Sequence, residues 1–224
     1  MNLRDLYLEI YLIRHADPAG KLNHWSSPTT PLSKLGLSQA EKVAQKLRSY
    51  KFNVILTSPY KRAKQTAEII VKYNKSAQLQ EESWLSEINL GKWTGRHKDE
   101  IKSQMPVSLK QLLKEGYEER GPLVANLLMI DRDFSFPLGE SLQEFWNRVE
   151  KGFYKTLNQF KGHKDQKLCL IGHGGPFTII VLNLLGKSFF DEKFPLFMFD
   201  KANITIIRIK NGKTFFLCMN PIFS

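Results

Sequence analysis

Apolar and polar positions divide this chain into short runs of strand character separated by longer stretches with helical spacing. Leu8-Glu9-Ile10-Tyr11-Leu12-Ile13 is a mostly apolar run that stops at Arg14-His15. Turn formers then crowd residues 18–32 (Pro18, Gly20, Asn23, Ser26, Ser27, Pro28 and Pro31), which predicts a loop at the strand's carboxyl end. Ser33 can cap a helix running to Tyr50, with Leu37, Ala40, Val43, Ala44 and Leu47 on its core face. Asn53–Thr57 reads as a buried strand. Ser58-Pro59 predicts the next helix, with Ser58 as N-cap, Pro59 at the first helical position, and Ala63, Ala67, Ile70 and Val71 turned to the core.

The rest of the chain continues this grammar. Gln78-Leu79-Gln80 fits a short strand. Ser141 and Glu144 have capping-box spacing ahead of a long helix whose apolar face is Leu142, Phe145, Trp146, Val149, Phe153 and Leu157. Lys167–Ile171 is a strand ending at Gly172-His173-Gly174-Gly175, and Pro176 opens an apolar helix that ends at Gly186. Asn211-Gly212, between two β-rich runs, predicts a hairpin. The alternation points to an α/β fold: a three-layer sandwich with a mostly parallel central sheet, helices on both faces and an antiparallel C-terminal hairpin edge. No repeat or linker divides residues 1–224, so one domain is expected.

Composition narrows the classes. The chain has 224 residues, is 42% hydrophobic and carries 15 phenylalanines, which supports a substantial core and argues against disorder. Its net charge of +11 favours anionic partners. The lysines are nonetheless scattered along predicted helices, with no basic run and no nucleic-acid motif, so they read as a solvated surface and nucleic acid is not an expected partner. Cys169 and Cys218 sit in separate apolar runs without Cys-x-x-Cys spacing. They suit small core residues in a reducing compartment rather than a metal site. Arg4, Asp5 and Glu9 interrupt the N-terminal apolar residues, so no signal peptide is read, and no apolar run is long enough to span a bilayer. A cytoplasmic location with no membrane partner is the expectation.

The candidate chemistry lies at strand ends, where open α/β sheets bind ligands. Arg14-His15 follows the first strand, Arg62 falls in the first turn after the second, and His173 follows the later strand beside two glycines. A histidine there can act as a nucleophile, and an arginine can hold an anion through paired N–H groups at a helix start that already favours negative charge. Arg14-His15-Ala16 resembles the Arg-His-Gly signature of the histidine phosphatase (phosphoglycerate mutase-like) superfamily, branch 1. Ser58-Pro59-Tyr60-Lys61-Arg62-Ala63-Lys64-Gln65-Thr66-Ala67 is similar to its Ser-Pro-x-x-Arg-Ala-x-x-Thr-Ala segment. Leu85-Ser86-Glu87 through Gly91, Trp93 and Gly95 resembles its Leu-x-Glu-x-x-x-Gly-x-Trp-x-Gly segment, and Gly139-Glu140-Ser141 also recurs there.

The resemblance implies roles. His15 would take the phosphoryl group, Arg14, Arg62 and His173 would hold its oxygens, and Glu87 would give a proton to the leaving oxygen. No cofactor or metal is then required, and the partner is a small phosphorylated substrate. Residues 96–138 correspond to an insertion that covers the site, which makes them a lid or cap candidate; extra core packing is an equal alternative. The pattern also departs from the family. Ala16-Asp17-Pro18 replaces the usual residues after the histidine, and the asparagine expected a few positions later is not at its spacing, with Asn23 the candidate to replace it in phosphate binding. No arginine follows His173. A phosphomonoester hydrolase is therefore expected first. A phosphoglycerate-type mutase and a non-catalytic module binding phosphorylated or acidic partners stay open, as does oligomeric state.

Overall fold

In the computed structural model, described for residues 3–20, 24–101, 134–188, 197 and 199–220, six strands form one sheet in the order β3-β2-β4-β1-β5-β6. β1 (Tyr7–Arg14), β2 (Val54–Thr57), β3 (Gln78–Glu81) and β4 (Gln166–Gly172) run parallel, and β5 (Ile204–Lys210) and β6 (Lys213–Asn220) add the antiparallel edge. Asn211 and Gly212 both have positive φ, 52° and 75°, so the predicted Asn-Gly hairpin is a two-residue primed turn.

Side-chain alternation along β1 builds the layers. Leu8, Ile10 and Leu12 enter one core, beneath α4 (Leu142–Asn158) and α5 (Gly174–Leu184). Tyr11 and Ile13 enter the other, beneath α1 (Lys34–Leu47) and α2 (Lys61–Tyr73). Three-residue 3₁₀ turns at Ser83–Leu85 and Gly91–Trp93 and a short α3 (Lys98–Ile101) lie between β3 and α4. Ser141 and Glu144 form the predicted capping box at α4.

Two local expectations are corrected. Leu37 is 45% exposed; the buried position on that turn of α1 is Gly36, because a Cβ there would run into the Asp17 backbone. α2 starts at Lys61, after Ser58-Pro59, and its N-cap Tyr60 makes no side-chain cap. Ser58 instead continues the sheet pairing, its N–H donating to the Ile171 carbonyl at 2.9 Å, which leaves its hydroxyl available to the strand ends. Within 96–138, residues 102–133 lie outside the described residues, and most of the segment on which the lid expectation rests falls there. Phe134 and Phe136 pack on Trp93, with ring centroids 5.8 and 5.4 Å away. Cys169 is a buried free thiol, pushed up by desolvation; the side chain of Cys218 lies outside the described set.

Candidate active site

Because β4 lies between β1 and β2, the carboxyl ends of these strands are neighbours. The His15 N–H reaches the Gly172 carbonyl at 2.9 Å, one step beyond the β1–β4 ladder. His15 and His173 therefore face each other with ring centroids 5.0 Å apart. Both are buried.

The partners of each ring nitrogen fix the tautomers, since a carbonyl only accepts and a guanidinium only donates. His15 Nδ1–H donates to the Ala16 carbonyl at 2.8 Å. Its Nε2 then keeps a lone pair, which accepts from Arg62 Nε at 3.1 Å. Burial, followed by the charges of Arg62 and Arg14, holds the His15 pKa well below the ordinary imidazole value. His173 is the converse tautomer. Its Nδ1 accepts from Arg62 Nη2 at 3.2 Å, and its Nε2–H donates to Ser58 Oγ at 2.9 Å. Burial and then the Arg62 charge hold it neutral as well.

Arg62 joins the two histidines. Its Nη1 donates to the Ser27 carbonyl at 2.9 Å, which brings the 18–32 loop to the site as expected. Its carbon lies 5.1 Å from the Tyr60 ring centroid. Burial lowers its pKa to about 10, opposed by the charge of Glu87, so it remains a cation at neutral pH. Arg14 Nη1 donates to the Phe199 carbonyl at 2.6 Å. Its Nε is buried without a hydrogen-bond partner among the described residues. An orphaned buried guanidinium N–H beside a neutral histidine suits an anionic oxygen.

Glu87 is half-buried between the two 3₁₀ turns. Its Oε1 accepts from the Ile88 N–H at 3.0 Å and its Oε2 from the Gly175 N–H, at the start of α5, at 3.2 Å. A Cβ on Gly175 would meet the Glu87 carboxylate, so the glycine lets that side chain lie against the start of α5. The structure thus brings Arg14, His15, Arg62 and His173 together, with Glu87 facing the same two arginines electrostatically. Asn23 lies outside the described residues.

Asp17, one of the departures from the resembled pattern, is tied away from the histidines. It accepts from Ser33 Oγ at 2.7 Å and pairs with Lys201 at 2.6 Å. Desolvation works against its charge, but these two donors keep its pKa lowered. Sequence reasoning missed Ser58 as a partner of His173 and Tyr60 as the wall they share. Tyr60 stands 5.0 Å from the His173 ring and donates its hydroxyl to the Glu87 carbonyl at 3.3 Å. A Ser-Pro dipeptide after a strand fits a helix cap and a site position alike. Among the described residues no group of three or more His, Cys, Asp or Glu could hold a metal ion, and no helix is long and apolar enough to cross a membrane.

Comparison with known proteins identifies the family and the fold. The family model of the histidine phosphatase superfamily (branch 1) matches residues 10–221. Phosphoserine phosphatase 1 of Hydrogenobacter thermophilus is 28% identical over 217 residues, covering 95% of this chain and 92% of that protein. A phosphoglycerate mutase of Schizosaccharomyces pombe is 26% identical over 187 residues, covering 80% of each. The crystal structure of the alpha-ribazole phosphatase from Shigella flexneri superposes with a TM-score of 0.76 at 22% identity, covering 96% of both chains, a likeness of fold.

Proposed function

Because the chain belongs to branch 1 of the histidine phosphatase superfamily, we propose that it is a phosphomonoester hydrolase working through a phosphohistidine on His15, without a metal, on a small phosphorylated metabolite. One observation carries the reading: His15 is a buried neutral imidazole whose Nδ1–H is engaged by the Ala16 carbonyl, leaving the Nε2 lone pair on the side of Arg62. That is the protonation state a nitrogen nucleophile needs.

The steps follow from the donors. An arriving phosphate ester takes the Arg62 N–H from His15 and the unpaired Arg14 Nε–H, which frees Nε2 and neutralises the equatorial oxygens. Nε2 attacks phosphorus in line as the bond to the leaving oxygen breaks, and Glu87 relays to that oxygen the proton that a monoanionic ester brings. Water then attacks the phosphohistidine and gives its proton to Glu87 while the P–N bond breaks, releasing inorganic phosphate and restoring His15. General acid catalysis of this kind contributes roughly 10²–10⁴-fold. The cations that surround the phosphoryl group are side chains, so the scheme needs no added metal. The name of the H. thermophilus relative supports a phosphatase and suggests an amino-acid phosphate as an early candidate among substrates. The S. pombe relative keeps a mutase as the second reading. We expect one cytoplasmic domain, with Asn23 contributing to phosphate binding.

The test is a metal-free phosphate-release screen over a panel of phosphomonoesters beside His15→Ala. Release from a preferred ester, lost in the variant, with a trapped phosphohistidine, upholds the hydrolase. Isomerisation of phosphoglycerate without release establishes the mutase instead, and no turnover of either kind leaves the binding module.

A further inference from the structure

The Gly139-Glu140-Ser141 motif touches none of the phosphate-holding groups, yet it is anchored to the segment that carries Glu87. Glu140 forms a two-pronged ion pair with Arg148 on α4, with Nε to Oε1 at 2.6 Å and Nη2 to Oε2 at 2.8 Å, and both side chains are largely shielded from solvent. Glu140 also grips Asn89 from both sides: its Oε2 accepts the Asn89 N–H at 2.9 Å, and its own N–H donates to the Asn89 carbonyl at 2.9 Å. Arg148 Nη1 meanwhile lies 3.1, 3.0 and 3.2 Å from the carbonyls of Ser83, Trp84 and Ser86, and Nη2 reaches the Glu87 carbonyl at 3.5 Å. The 3₁₀ turn at Ser83–Leu85 is too short to fix Glu87 by itself, since it leaves most of its carbonyls without helical partners. Arg148 supplies donors to those carbonyls.

We propose that Arg148, held by Glu140, is the positioning residue for the proton donor, setting the backbone from which Glu87 faces the leaving oxygen. The inference rests on the hydrolase reading and deepens it. A planar fork is required, because one guanidinium serves a carboxylate on one edge and a row of carbonyls on the other; a lysine ammonium cannot do both. Displacement of a catalytic group by about 1 Å costs on the order of 10²-fold in rate. That loss should fall only on substrates whose leaving oxygen needs a proton.

The experiment compares an alkyl phosphate with 2,4-dinitrophenyl phosphate, whose leaving group departs unprotonated, in wild type, Arg148→Met, Arg148→Lys and Glu87→Gln. Arg148→Met is expected to lose kcat on the alkyl ester by roughly tenfold to a hundredfold and to stay within about threefold on the aryl ester, parallel to Glu87→Gln. Arg148→Lys, the milder variant in folding terms, is expected to show the same selectivity. Equal losses on both esters, or none on either, overturn the proposal. Amide hydrogen exchange over residues 83–90 gives a reading independent of turnover. Faster exchange there in Arg148→Lys, with the β1 and β4 amides unchanged, upholds the anchoring even where wild type releases no phosphate, the outcome that removes the hydrolase reading alone. Unchanged exchange overturns it.

Discussion

Ser58 and His173, 115 positions apart, share a buried hydrogen bond of 2.9 Å from the imidazole Nε2–H to the serine hydroxyl. The same hydroxyl accepts from the Tyr60 N–H at 3.2 Å. Ser58 thereby decides which nitrogen His173 turns to Arg62.

Ser58→Ala removes that acceptor and leaves a buried N–H unpaired, at a cost of about 1–3 kcal/mol. The expected outcome is a lower denaturation midpoint together with a reduced kcat. Urea melts and phosphate-release kinetics check both, and a stable variant with full activity would show that the hydroxyl does not orient His173.

Arg62→Lys keeps the charge but cannot reach His15, His173 and the Ser27 carbonyl at once. Inorganic phosphate or vanadate is expected to bind at least about tenfold more weakly, one lost charge-assisted hydrogen bond being worth about 1.5–3 kcal/mol. Titration calorimetry checks it.

The pH dependence follows from the two depressed imidazoles. Folding holds both histidines below the ordinary value of 6.5, with burial the first cause in each. Above that value they are neutral whether folded or unfolded and contribute nothing. Below it the unfolded chain binds more protons, so their linkage makes stability fall as pH falls. In the same window His15, the nucleophile of the proposed mechanism, stays unprotonated, so the acid limb of kcat/KM is expected below the ordinary histidine range. Melting temperatures and rates from about pH 7.5 to about pH 5 check the pair of effects. His15→Ala should flatten part of the stability slope.

Gly36→Ala sets two effects against each other. Alanine is favoured in a helix by about 1 kcal/mol over glycine, but its Cβ meets the Asp17 backbone rather than a yielding side chain, and overpacking of that kind costs about 1–3 kcal/mol. Net destabilisation is expected, with a loss of activity because Asp17 lies two residues after His15. Thermal melts and kcat measured together decide it.

Much of the fold was readable because strand ends, capping residues and glycines are local signals. The apolar run before Arg14-His15, the capping box at Ser141 and the Asn211-Gly212 turn each announce themselves within a few residues. Ser58 did not, because a serine before a proline fits a helix cap as well as a strand end, and only the β2–β4 pairing distinguishes them. The helical period alone turns Leu37 to the core, since the close approach of Gly36 to Asp17 is tertiary. Arg148 looks like any arginine on the polar side of an amphipathic helix, and the carbonyls it serves lie more than sixty positions away. Asp17 broke a pattern without revealing that Lys201 would claim it.

The place of β4 between β1 and β2 also bears on how the molecule comes into being. The two histidines cannot meet until a strand from the second half of the chain has been inserted between two from the first, a contact of long sequence separation that slows assembly. A nascent chain still lacking β4 therefore has Arg62 and His15 but no strand between them to align them, and it is expected to be inactive. Activity is expected to switch on in a single late event, when the last parallel strand docks.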